Sequence, residues 1–157
     1  MTAPVLVFGW GNRSRGDDAL GPLFVERLRA ALSPPEAAGV EWLDDYQLQP
    51  EHALDLAGRE RVLLVDASLA CRAPFEVSTA LPVQEVGVST HALSPQGLLQ
   101  IYRQVHGQEP PRCTLLAIRG ERFELGEPPA AAAFEHLDAA LRWARRWLAD
   151  DGSSHEV

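Results

Sequence analysis

What this chain lacks narrows its class before any motif is read. It has two cysteines, Cys71 and Cys113, too few for a disulfide scaffold and too far apart for a paired metal-ligand motif. Its apolar runs are no longer than a strand, and no charged segment leads into a longer one, so neither a membrane span nor a targeting segment is expected. A basic stripe is also missing. The net charge is −8, and the densest basic group, Arg142, Arg145 and Arg146, falls on a predicted surface helix. That balance argues against general nucleic-acid or acidic-membrane binding. The chain contains no His-Glu-x-x-His, no Gly-x-Ser-x-Gly, no repeat and no low-complexity linker. With 157 residues, 46% of them apolar, it should bury one sizeable core. We therefore expect one domain over residues 1–151, a loose polar tail over 152–157, and a soluble cytoplasmic protein.

What is present is an alternation of apolar strands and amphipathic helices. Val5 to Phe8 and Arg61 to Val65 are near-continuous apolar runs, as expected of strands buried on both faces, and Cys113 to Ile118 is another. Val40 to Leu43 reads as a short strand, Phe75 to Leu81 as a weaker one, and Val86 to Ser89 as weaker still. Helices are predicted from Leu20 onward, over Gln49 to Ala57, after the Ser94-Pro95 cap, and from about residue 130 to Asp150. This order predicts an α/β fold: a three-layer single domain whose twisted, mostly parallel sheet of about five strands is covered by helices on both faces.

In such sheets ligands sit in the crevice beyond the carboxyl ends of the strands, so that edge selects the candidate residues. The first strand runs into Gly9-Trp10-Gly11-Asn12 and then Gly16-Asp17-Asp18, which puts two carboxylates at a turn that would otherwise suit a phosphate. Either Asp17 or Asp18 should cap the following helix, and one is enough for that, leaving the other for different work. Asp66 is expected at the carboxyl end of a central strand, and His91 in a Ser-Thr-His loop just before a helix. Two carboxylates and an imidazole at one rim would suit a divalent transition metal with open coordination positions.

Other readings use the same residues. Ser14, Asp66 and His91 have the chain order of an α/β-hydrolase triad, but Ser14 sits several residues past the strand rather than on a tight elbow. Gly9-x-Gly11 starts a dinucleotide fingerprint whose next glycine, Gly16, comes too late. A nucleotide-binding module, or a non-catalytic interaction module of the same fold with Tyr46, Trp42 and Trp10 as a docking patch, is the alternative to an enzyme.

At Gly9-Trp10-Gly11-Asn12, Asp17-Asp18 and Gly21, at Leu64-Val65-Asp66-Ala67, and at Ser89-Thr90-His91, the sequence resembles the maturation endopeptidases of nickel-iron hydrogenases. Ala117 to Gly120 and the overall length fit as well, so the resemblance spans most of the chain. It implies a hydrolase, of metal-dependent or aspartyl type, that removes the C-terminal extension of a hydrogenase large-subunit precursor after nickel insertion. Asp18, Asp66 and His91 would then be both the catalytic and the metal-contacting residues. Asp18 is preferred over Asp17 on the resemblance alone. Nickel would arrive with the precursor, no organic cofactor is implied, and a monomer is compatible with the resemblance. The family's common Asp-Gly-Gly loop after the second strand is replaced here by Asp44-Asp45-Tyr46-Gln47-Leu48-Gln49, beside the expected crevice.

Overall fold

The computed structural model describes residues 2–84 and 93–150. His91, the strand candidate at 86–89 and the polar tail lie outside the described residues. The strands are β1 (Val5–Trp10), β2 (Val40–Asp45), β3 (Arg61–Ser68), β4 (Phe75–Ala80) and β5 (Arg112–Arg119). They form one sheet in the order β2-β1-β3-β5-β4. β1 pairs in parallel with β2 and β3, and β3 with β5, while β4 runs antiparallel on the outer side of β5. The helices are α1 (Leu20–Ala31), the one-turn α2 (Pro34–Ala37), α3 (Pro95–His106) and α4 (Ala131–Ala149). This is the α/β architecture that the alternating pattern predicts.

The period-2 alternation of the central strands divides the core in two. Leu6 and Phe8 of β1, with Val62 and Leu64 of β3, pack under Leu98, Leu99 and Tyr102 of α3. Val7, Leu63 and Val65 face the other way, against Phe24 and Leu28 of α1 and Leu137 and Ala140 of α4. Each fully buried Leu or Phe contributes about 1.5–3 kcal/mol relative to exposure, so both layers hold the sheet. The Ser94 hydroxyl accepts from the Gly97 N–H at 3.0 Å and starts α3, and Gly107, in the left-handed region at φ 67°, ends it. At the far end of β3, Arg61 lies over the Trp147 ring at 4.1 Å and donates to the Trp147 and Leu148 carbonyls at the end of α4.

Two expectations need correction. The predicted helix over Gln49 to Ala57 is a five-residue 3-10 turn, Pro50–Leu54. The His52 ring bonds back to the Gln49 amide there, and Gly58 at φ 80° turns the chain away. Neither Asp17 nor Asp18 caps a helix through its side chain. Arg15 occupies the capping position of the preceding 3-10 turn (Gly16–Ala19), and Ala19 that of α1. The two carboxylates have other partners.

Candidate active site

The site is built where β1 meets α1, backbone against backbone. A Cβ on Gly9 would overlap the Gly21 carbonyl, and one on Gly21 would overlap the Trp10 carbonyl. Gly11, at φ 148°, passes so close to the Asp18 carbonyl that no side chain fits there. These glycines are therefore taken up by helix–strand contact and leave no phosphate cradle between them.

That crossing sends the two neighbouring aspartates in different directions. Asp17 is fully buried, and its carboxylate accepts from the backbone N–H groups of Glu121 (2.6 Å), Arg122 (3.0 Å) and Ala130 (2.7 Å). It ties the segment between β5 and α4 to the first turn, a role with no local sequence signal because its partners lie more than a hundred residues away. Asp18 stays half-buried at the rim, where its Oδ2 accepts the Asn12 N–H at 2.7 Å. Of the two carboxylates, Asp18 is the one left facing the cavity.

Asp66 lies near the carboxyl end of β3, the central strand, in register with Ala117 of β5. Asp18 and Asp66 line one cavity of about 260 Å³, together with Trp10, Asn12, Tyr46 and Gln47. Burial, reinforced by the Asp18 charge and opposed by the Ala67 amide, pushes the Asp66 carboxyl up to about 7. A divalent cation between the two would reverse that repulsion, and hard carboxylate oxygens suit it chemically. Among the described residues no cluster of three His, Cys, Asp or Glu side chains forms a metal-binding group. His91, the expected third member, lies outside them.

The remaining candidates are placed as follows. Ser14 is exposed and lines an adjoining hollow with Arg13 and Pro22, apart from the Asp66 cavity, so the described part of a serine triad does not assemble. Trp10 is buried and packs on Phe8 with ring centroids 5.6 Å apart while also bordering the cavity. Trp42 packs against the other core layer. Tyr46 is 62% exposed, so the aromatic docking patch reduces to that residue. Tyr46 on the cavity wall is a residue of the expected docking patch, and Gln47 is signalled only by the unusual loop after β2. Arg15, which also lines the cavity and donates from Nε to the Phe123 carbonyl at 3.1 Å, carried no sequence signal. A larger hollow of about 690 Å³ lies along β4 and β5, lined by Ser68, Cys71, Phe75 and Ser78, and neither Asp18 nor Asp66 borders it.

No protein-family model and no curated protein sequence matches the chain. Solved structures do. The hydrogenase maturating endopeptidase HybD from E. coli is 25% identical with a TM-score of 0.76, covering 97% of this chain and 94% of its own. An endopeptidase from Escherichia coli solved in solution is 26% identical with a TM-score of 0.67, covering 92% and 90%. The [NiFe] hydrogenase maturation protease HycI from Thermococcus kodakarensis KOD1 shares the fold at 24% identity and a TM-score of 0.71, covering 94% of both chains. Over nearly its whole length, the chain is similar in fold to the hydrogenase maturation endopeptidases.

Proposed function

We propose that this chain is an endopeptidase that removes the C-terminal extension of a nickel-iron hydrogenase large-subunit precursor once nickel has been inserted. The observation that carries the reading is the pair of carboxylates, Asp18 and Asp66, on one cavity at the carboxyl rim of the sheet. Similarity in fold to hydrolases of that class supports the reaction type. Asp18 and Asp66 offer oxygen donors, and His91 on the segment leading to α3 is assigned the imidazole. Nickel belongs to the substrate in this scheme and acts as the tag that the two carboxylates recognise. A cation held there would polarise an adjacent scissile carbonyl or activate a water. The protein's own contribution is to hold the two carboxylates on rigid elements, with Trp10 and Tyr46 limiting the approach to them. The scheme needs no organic cofactor. The setting proposed is the cytoplasm, where two free thiols stay reduced.

The reading is tested by incubating nickel-loaded and nickel-free precursor with the parent chain and with Asp18→Ala, Asp66→Ala and His91→Ala. Only the loaded precursor should shorten. Each substitution should slow cleavage by about 100-fold or more, the scale for losing one group that stabilises the transition state electrostatically. Full processing by all three variants would defeat the assignment.

A further inference from the structure

Beside the carboxylate pair, one buried titratable side chain is committed to the rim without facing the cavity. We infer that His52 is a positioning residue: through Asp45 it sets the wall of the cavity against which the polypeptide substrate is selected. The inference rests on the endopeptidase reading above and deepens it.

His52 is 6% exposed and packs edge-on against Phe8, with ring centroids 4.6 Å apart. Its two ring nitrogens are both used, one on the last residue of β2 and the other on the loop that follows it. Nδ1 accepts the Gln49 N–H at 2.8 Å, so the ring hydrogen resides on Nε2 and is donated to Asp45 Oδ2 at 2.9 Å. Asp45 then spends its other oxygen on the next residue, with Oδ1 accepting the Tyr46 N–H at 2.6 Å. The Asp45 carbonyl accepts the Gly11 N–H at 3.0 Å, which ties the loop to the end of β1. From Tyr46 the path continues inward. Its hydroxyl accepts from Asn12 Nδ2 at 3.4 Å, and the Asn12 backbone N–H donates to Asp18.

A histidine that only filled space would need no directed bonds, and a leucine would serve as well against Phe8. Instead, the ring clamps the loop at both ends, at Asp45 and at Gln49. Tyr46 and Gln47 lie between those clamps, and both border the cavity that holds Asp18 and Asp66. An exposed loop would otherwise sample many conformations, at a cost of about 1–2 kcal/mol per residue to order on binding. Holding the loop in place beforehand removes that cost from the encounter with substrate. The effect belongs in substrate binding, since His52 does not itself border the cavity.

The test measures steady-state cleavage of the nickel-loaded large-subunit precursor together with amide hydrogen exchange at Tyr46 and Gln49. The variants are His52→Leu, which keeps apolar bulk and loses both bonds, and His52→Gln, which retains a donor and an acceptor. Asp45→Ala removes the same link from the surface side, where folding is not at risk, and Glu51→Gln is an exposed control on the same turn. His52→Leu and Asp45→Ala should each raise KM by about tenfold with kcat within about threefold of the parent, the pattern of lost binding rather than lost chemistry. The double variant should be no worse than either alone, because both break one path. Exchange at Tyr46 should accelerate in both, and His52→Gln should recover most of the parent KM. Parent KM in a folded His52→Leu, or unchanged exchange at Tyr46, would overturn the inference. Failure of the parent chain to cleave any loaded precursor would instead defeat the endopeptidase reading, and substrate selection by the loop with it.

Discussion

Two adjacent aspartates divide the labour at the first turn, and the division rests on where each carboxylate finds hydrogen-bond donors. Asp17 ends among three backbone N–H groups in the interior, while Asp18 meets one at the rim. Asp17→Ala should therefore cost about 3–5 kcal/mol in urea denaturation, because it strands buried donors that were paired with a charge. Asp18→Ala should change stability by less than about 1 kcal/mol while abolishing processing. Asp66 presents the opposite balance. Its folded-state value lies above that of the unfolded chain, so its favourable contribution is complete below the unfolded value and is lost as pH rises through about 7. Asp66→Asn should then stabilise the protein, by about 1.5 kcal/mol near pH 5 and by up to about 4 kcal/mol at pH 8. Parallel unfolding midpoints at the two pH values check the sign. The pairing of Asp17 with distant amides could not be read from the sequence, since the contacts are made by tertiary folding alone.

At the level of elements, the crossing of β1 and α1 places the site. Both strand and helix were legible, one from its apolar run and the other from its 3.6-residue period. Their distance of approach was not. It depends on Gly9 and Gly21 meeting carbonyls across the crossing, which no local pattern reveals. Gly21→Ala puts a methyl into the Trp10 carbonyl and should destabilise the protein by about 3 kcal/mol or more, read from the shift in its denaturation midpoint. The turn over Pro50–Leu54 shows how tertiary contact overrides local propensity. Pro50 opens it as it would a helix, yet His52 bonds across to Asp45 at the end of β2 and the segment stays short. β4 gave only a weak signal because it is an edge strand, buried at few positions, and antiparallel pairing places it beside β5 without a crossover helix.

Across the whole molecule, the central sheet is sealed by helices on both sides, and Cys113 reports on that seal. It lies in β5 within the layer under α3, and burial pushes its thiol up to about 12. At pH 8 the native chain should resist alkylation at Cys113, and the labelling rate should rise with urea in step with global unfolding. Rapid labelling without denaturant would mean that the layer opens locally. No helix among the described residues is long and apolar enough to cross a membrane, in keeping with the strand-sized apolar runs.

The α/β class and the near-continuous strands were legible in the amino-acid order alone, because hydrophobic period and turn residues are local properties of the chain. That order also marked Asp66, through its place at the end of an apolar run. Folding in three dimensions is what turns Asp17 inward and leaves Asp18 at the rim, puts Asp18 and Asp66 on one cavity, and joins His52 to both Asp45 and Gln49. Each of these depends on groups far apart in the chain coming within hydrogen-bonding or Coulombic range, and that separation is fixed by packing rather than by spacing along the sequence.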